Sequence, residues 1–398
     1  MKKVFLSIIT LSLLSFGLQA QENDKKANEG FQFTVVKENL ITSVKNQSNT
    51  GTCWCFASLG FMESELLRMG KGEYDLSEMF IVSGTYKEKA ERYIRLDGFL
   101  NFAQGGAFDD YLHIIRKYGI VPNEVMPGLN YGEDMHMHGE LAAVLKGMVD
   151  GVKRNPNRKL STAWKKALQG AVDAYLGEMP ETFTYEGKEY TPKSFASSLG
   201  FNPDDYVNIA SFTHHPFYTQ FALEVADNWL WGQYWNLPME EMMEVIDNAI
   251  MNGYTVLWAS DVSEMGFGRT GIAMYPTTEP SEMVGSDQAR WLQMSAMERS
   301  NAFRNLTGPV AEIKEVTQEM RQEAYDNKQT TDDHGMQIYG IAKDQNGTKY
   351  YMVKNSWGEA GNYKGLWYVS EKFVQYKTMD IQVHKNAIPK AIRKKINI

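Results

Sequence analysis

Two cysteines, Cys53 and Cys55, stand one residue apart in "NQSNTGTCWCFAS" (46–58), and the chain of 398 residues has no others. Such a pair could hold a metal, exchange electrons, or hide one nucleophile beside a packing residue. Structural zinc sites separate paired ligands by two to four residues and add a second pair elsewhere. Here the spacing is one residue, and only histidines could complete the set. His136/His138 and His214/His215 cluster in loop or insertion segments, so no metal site is expected. Helical positions i and i+2 point apart, which disfavours a disulfide, and thiol redox motifs use C-x-x-C.

A nucleophilic cysteine needs a base, a group that orients the base, and donors for the developing oxyanion. Thr52 is a residue type that caps helices, which puts Cys53 in the first helical turn, where the dipole favours a thiolate. Gln47 lies six residues upstream, with a side-chain amide able to point at the same oxyanion as the Cys53 N–H. Far along the chain, His334 opens one strand pattern and Asn355 ends the next, in "VKNSWG". A hairpin between those strands would set Asn355 against His334.

The elements that must position these residues follow from periodicity. From Cys53, the residues Phe56, Leu59, Met62, Leu66 and Met69 recur at helical spacing and form one apolar stripe, with Gly70 and Gly72 beyond its end. "LSEMFIVSGTYKEKAERYIR" and "DDYLHIIRKYG" read as helices on either side of the glycine break "AQGGAF". Residues 133–205 read as a helical insertion carrying "ELAAVLKGMVDGV" and "STAWKKALQGAVDAYLGEM". "PMEEMMEVIDNAIMNGY" is a helix between Pro238 and Gly253, followed by the strand "TVLWASDVS". Residues 265–330 have weak periodicity and are expected to be long surface loops with a helix at 311–325. "HGMQIYGIAK", "TKYYMVKNSWG" and "GLWYVS" read as successive strands, the first two joined by the turn "DQNGT".

The formal net charge of −8 and a pI near 5.5 exclude a basic face for nucleic acid. Lys2 and Lys3 precede the apolar run 4–18, and Ala20 ends a cleavage-like "LQA". This is the pattern of a secretory signal peptide at 1–20, and it implies an exported, periplasmic or secreted protein with no stable membrane insertion after cleavage. Only 26 residues separate Ala20 from Gln47, too few for a folded inhibitory prodomain.

"NQSNTGTCWCFAS", "AQGGAFDDYLHIIRKYGIVP", "DDHGM" and "VKNSWGEAGNYKGLWYVS" together resemble the papain-like cysteine peptidases, in order and spacing over nearly all of 40–375. The insertion, the short N-terminal segment and "DLSEMF" look most like the bleomycin hydrolase and aminopeptidase C branch. The resemblance implies an α+β, two-lobed fold. The helical lobe is 31–132, the insertion 133–205, the barrel-like β-rich lobe 206–385 and the tail 386–398. It implies that Cys53 attacks the scissile carbonyl, His334 exchanges the proton, Asn355 orients His334, and Gln47 with the Cys53 amide binds the oxyanion. Gly105 and Gly106 would line the substrate path, Trp357 would cover the Asn–His bond, and Trp54 would support the site. Cys55 would pack behind the nucleophile. Thr50 occupies a position where the family commonly has a disulfide cysteine, so that bridge is absent.

Asp333 and the remaining histidines (His113, His136, His138, His214, His215 and His384) are expected in structural roles, at the surface or satisfied in the core. The branch implies peptide substrates, no cofactor, aminopeptidase action and a homo-oligomer, a hexamer, whose C-terminal tail enters the cleft. This chain ends in the basic, polar "HKNAIPKAIRKKINI" instead of an apolar tail. Rival readings on the same site are an endopeptidase, a peptide-amide hydrolase, and a catalytically silent peptide-binding protein.

Overall fold

The computed structural model describes residues 30–156, 158–279, 281, 283 and 286–398; the leader expected at 1–20 lies outside them. Strand β1 (Thr34–Glu38) leads to helix α1 (Cys53–Arg68), followed by α2 (Glu78–Arg95), α3 (Asp109–Tyr118), α4 (Gly139–Lys153) and α5 (Ala163–Leu176). A small hairpin, β2 (Phe183–Tyr185) and β3 (Lys188–Tyr190), precedes α6 (Pro192–Leu199).

Helix α1 is more deeply set than a one-stripe pattern suggests. It is buried without a break from Trp54 to Leu66, because α2 and α3 pack against it as well as strands of the β-rich half. Its acidic residues are therefore buried and must be paired. Glu63 Oε1 takes Lys45 Nζ at 2.9 Å, and Glu63 Oε2 takes Thr42 Oγ1 at 2.7 Å. Helices α4 and α5 bury Leu141, Leu145 and Val149 and Leu168, Val172 and Leu176, each set spaced by four residues. These side chains join the same core as α1–α3.

The β-rich half contains β4 (Tyr206–Ala210), β5 (Gln220–Ala222), β6 (Gln233–Asn236), α7 (Met239–Met251), β7 (Val256–Ser260) and β8 (Ile272–Ala273). It continues through α8 (Ser286–Gln293), α9 (Ala296–Arg304), α10 (Gln318–Asp326), β9 (His334–Lys343), β10 (Lys349–Lys354) and β11 (Leu366–Ser370), then α11 (Glu371–Lys377), β12 (Thr378–His384) and α12 (Lys390–Lys395). One ten-stranded mixed sheet runs β5-β6-β4-β12-β7-β9-β10-β11-β8, with β1 also paired to β9. The long strand β9 is its spine, pairing with β7 near His334 and with β10 and β1 toward Lys343. The β9–β10 turn forms at the expected "DQNGT", where Asp344 Oδ1 accepts from the Asn346 and Thr348 N–H groups at 2.9 Å.

Residues 265–330 depart from expectation. Their described residues hold β8 and three helices, and the helix expected at 311–325 begins only at Gln318, where the Thr317 side chain caps it. The preceding stretch is extended and bridges Pro276 to Glu312. Helix α9 escapes a periodicity search because only Phe303 of it is buried, yet Ser295 and Glu298 form a capping box at its start. No helix among the described residues is long and apolar enough to cross a membrane.

Candidate active site

Cys53 is the first residue of α1. Thr52 precedes it as expected but does not cap with its side chain; its hydroxyl instead shares a 2.6 Å bond with Thr50 Oγ1. Cys53 and His334 line one cleft of about 520 Å³ between the helical and β-rich halves. Gly335, next to His334 on β9, also lines the cleft, and its N–H favours the Cys53 thiolate.

His334 is buried, and its Nε2 lies 2.7 Å from Asn355 Oδ1. The same Oδ1 accepts the Ser356 N–H at 2.7 Å, which fixes the amide orientation. His334 Nε2 is therefore the protonated nitrogen, and Nδ1 keeps the free lone pair. Trp357 stacks on the imidazole with ring centroids 4.7 Å apart, and is itself held edge-on by Trp367 and Phe267.

Electrostatics modify the thiolate expectation. Burial pushes the Cys53 thiol up to about 11, with the Gly335 and Trp54 N–H groups pulling against it and the Asp332 charge adding to the rise. Burial also holds the His334 imidazole down at about 4, against the Asn355 bond. Both directions favour a neutral thiol–imidazole pair in the unliganded cleft; desolvation outweighs the helix dipole here.

Gln47 is buried and anchored at both ends of its side chain. Its Oε1 accepts from Ser356 Oγ at 2.6 Å, and its Nε2 donates one hydrogen to Thr50 O at 2.8 Å. The second Nε2 hydrogen is left for an oxyanion. The Gln47 N–H also bonds Ser356 O at 2.8 Å, and Asn46 bridges to Trp357. Ser356 thus touches both the Asn355 and the Gln47 amides. It lies inside the quoted "KNSWG", but its type and position gave no signal of this double role.

Gly105 and Gly106 line the cleft beside Trp54. A Cβ on Gly105 would sit 1.9 Å from Asp227 Oδ2, and one on Gly106 would sit 2.8 Å from the Trp54 ring. Trp54 Nε1 donates to Gln104 O at 3.1 Å, and buried Lys89 holds the carbonyls of Ala103 and Gly105. The glycine strip is therefore pinned from beneath. Cys55 is fully buried, its sulfur 3.4 Å from Glu78 O, and both cysteines are free.

Asp333 bonds Thr331 Oγ1 and the Ser263 N–H. The other histidines do not line the cleft. His214 and His215 both face Glu224, at 3.0 and 2.8 Å, the one cluster of possible metal ligands among the described residues. His138 differs from expectation: it is fully buried with neither ring nitrogen bonded, and burial holds it down at about 4. Residues missed at the sequence level are Asp227, Asp332, Asp380 and Tyr234, which line the cleft. They lie far apart in the chain, and no spacing links them. None of residues 385–398 lines the cleft; Ile392 and Ile396 of the tail share a core with α7, and Lys395 pairs with Glu241.

This α+β arrangement, with Cys53 and the His334–Asn355 pair facing one cleft, defines a cysteine peptidase of the papain-like class. The chain belongs to the Peptidase C1-like family, whose sequence model matches residues 74–289 and 311–398. Aminopeptidase G of Lactobacillus delbrueckii subsp. lactis is 23% identical over 415 residues, covering 94% of this chain and 87% of its own length. Aminopeptidase C of Listeria monocytogenes is 22% identical, covering 98% and 91%. Bleomycin hydrolase of Rattus norvegicus is 23% identical, covering 92% and 85%. The solved structure of PepW from Lactobacillus rhamnosis is similar in fold, with a TM-score of 0.69 at 19% identity, covering 100% of this chain and 92% of that one.

Proposed function

We propose that the chain is an aminopeptidase that cleaves peptides through a thioester on Cys53. The observation that carries this reading is the 2.7 Å His334–Asn355 bond, which leaves His334 Nδ1 as a free base on the cleft that Cys53 also lines. His334 Nδ1 takes the thiol proton as Sγ bonds the scissile carbonyl carbon. The carbonyl oxygen becomes an oxyanion, received by the free Gln47 Nε2 hydrogen and the Cys53 N–H. The C–N bond then breaks, and the leaving amine takes the proton from the imidazolium. Water attacks the thioester, gives its proton to Nδ1, and releases the acid as the thiol re-forms. Asn355 keeps the imidazole in the required tautomer throughout.

The exopeptidase part rests on the names of the relatives. The signal-peptide pattern of residues 1–20 supports export of the mature chain, which N-terminal sequencing of the processed protein would check. Iodoacetamide is expected to inactivate the wild type, and Cys53→Ala to be inert. Fluorogenic peptides matched except for a free or acetylated N-terminus test the exopeptidase step. Faster cleavage of the acetylated peptide refutes it, and a wild type that resists alkylation refutes the enzyme reading.

A further inference from the structure

We infer that the end of the cleft formed by Asp227, Tyr234, Asp332 and Asp380 is a binding site for a primary ammonium group of the substrate. The inference deepens the aminopeptidase reading and rests on it for the identity of the catalytic cleft. The four residues converge through the sheet order. Asp380 is in β12, flanked by Ala210 of β4 and Ala259 of β7. Asp332 lies two residues before His334, at the start of the next strand over, and Tyr234 belongs to β6.

Two buried polar groups lack partners here, and they carry the argument beyond a cluster of acids. Tyr234 is wholly buried, lines the cleft, and its hydroxyl has no hydrogen-bond partner. Asp380 is only 4% exposed, lines the cleft, and its Oδ1 has no partner either. Buried polar atoms left unpaired are costly and are ordinarily satisfied. Groups that remain unpaired at the wall of a substrate cleft are satisfied when the ligand arrives.

The sign of the missing partner follows from the charges. No lysine or arginine lines the cleft. Lys89, whose charge also acts on Asp110 and Asp227, donates to the carbonyls of Ala103 and Gly105 from beneath the glycine strip. Asp227 Oδ1 accepts one bond, from Asn101 Nδ2 at 2.8 Å, and Oδ2 faces the glycine strip. Burial, then the charges of Asp227 and Asp333, push Asp332 up to about 7. Burial and the neighbouring carboxylates of Asp332 and Asp109 push Asp380 up as well. Carboxylates held in this way gain most from an incoming cation. A primary ammonium presents three donors, which suits two carboxylates and a phenolic oxygen. None of residues 385–398 lines the cleft, so the acceptors proposed here are those of the cleft wall itself.

A peptide can bring an ammonium in two ways, as its free α-amino group or as a lysine side chain. Three fluorogenic substrates separate them: a free N-terminus with neutral side chains, the same peptide acetylated, and an acetylated peptide with lysine preceding the scissile residue. The readout is the ratio of kcat/KM for each cationic substrate to that for the acetylated neutral one, in Asp380→Asn, Asp332→Asn and Tyr234→Phe. The ratio is expected to fall about 10- to 100-fold in the aspartate variants, the range for losing a hydrogen bond to a charged group. A fall confined to the free-amine ratio identifies the α-ammonium; a fall confined to the lysine ratio identifies the side chain. Asp332 is part-exposed, so its variant serves if Asp380→Asn misfolds, and Cys53 alkylation reports an intact site. A wild-type ratio near one, variants that leave the ratio unchanged, or a preference lost on adding a metal chelator would overturn the inference. The peptidase reading would survive each of these results, because it depends on Cys53 alkylation and on turnover of any of the three peptides.

Discussion

Asn355 offers the sharpest test of the catalytic geometry. Its Oδ1 accepts two buried N–H groups, from His334 Nε2 and from Ser356, both at 2.7 Å, while its own Nδ2 is buried without a partner. Asn355→Ala removes the one acceptor that serves both donors. A buried donor left unpaired costs about 1–3 kcal/mol. If that cost falls on the imidazole as it becomes charged, kcat/KM drops roughly 5- to 150-fold. Asn355→Asp is more telling. The carboxylate keeps an acceptor for each donor and sacrifices no hydrogen bond, because the replaced nitrogen had none. Its charge, next to the imidazole, raises the His334 pKa from about 4. His334 must be neutral to take the thiol proton, so activity is lost as pH falls through its pKa. The wild-type acid limb of kcat/KM is therefore expected well below 6.5, and the Asp variant's limb should move upward while its plateau exceeds that of Ala. Initial rates on one peptide from pH 4 to pH 9 measure both effects. An Ala variant within about twofold of wild type, or an Asp variant whose acid limb stays put, would refute the assigned tautomer and the role drawn from it.

Three further outcomes follow from the packing. Cys55→Ser keeps a donor toward Glu78 O and should retain activity and a single alkylation site; loss of activity equal to that of Cys53→Ala would make Cys55 more than a packing residue. Gln47→Ala should lower kcat about 100- to 1,000-fold with little change in KM, and Ser356→Ala, which frees only the Gln47 Oε1 end, should lower it less; the reverse ranking in steady-state kinetics would remove Gln47 from the oxyanion site. Gly106→Ala sets a Cβ 2.4 Å from Asp110 Oδ2, itself bonded to Trp229, and 2.8 Å from the pinned Trp54 ring. Overpacking of this kind costs about 1–3 kcal/mol, so an unchanged denaturation midpoint would show that the strip is looser than described.

What was legible in the chain and what was not separate along physical lines. Cys53, His334 and Asn355 each stand where a regular pattern begins or ends, at the first residue of α1, the first of β9 and just after β10. A change of periodicity marks such junctions without knowledge of the fold. Helices α8 and α9 lack an apolar stripe, and α10 starts later than the expected 311–325 because Thr317 caps it. The buried charges were invisible for another reason. Glu63 reads as the solvent side of a striped helix until Lys45 and Thr42 come to meet it, with Lys354, from nearly three hundred residues away, bonding Thr42 in turn. Asp380 likewise carries no signal, in a stretch with no strand expected, until β12 takes its place beside β7 and β4.

Those same buried contacts explain how a site divided between two halves is held in register. Lys354 immediately precedes Asn355. Its ammonium, which burial lowers to about 8, donates to Thr42 Oγ1 at 2.8 Å, and Thr42 donates in turn to Glu63 on α1. The helix that presents the thiol is thus tied to the strand that presents the orienting amide. Ser356, one residue further on, ties the same strand end to Gln47 by a backbone and a side-chain bond. The nucleophile, the base and the oxyanion donor share one short segment, Lys354 to Trp357, as a common reference. Donors fixed before substrate arrives need no reorganisation as charge develops. On this argument the segment's buried polar bonds serve catalysis through geometry, and substitutions there should lower kcat before they lower stability.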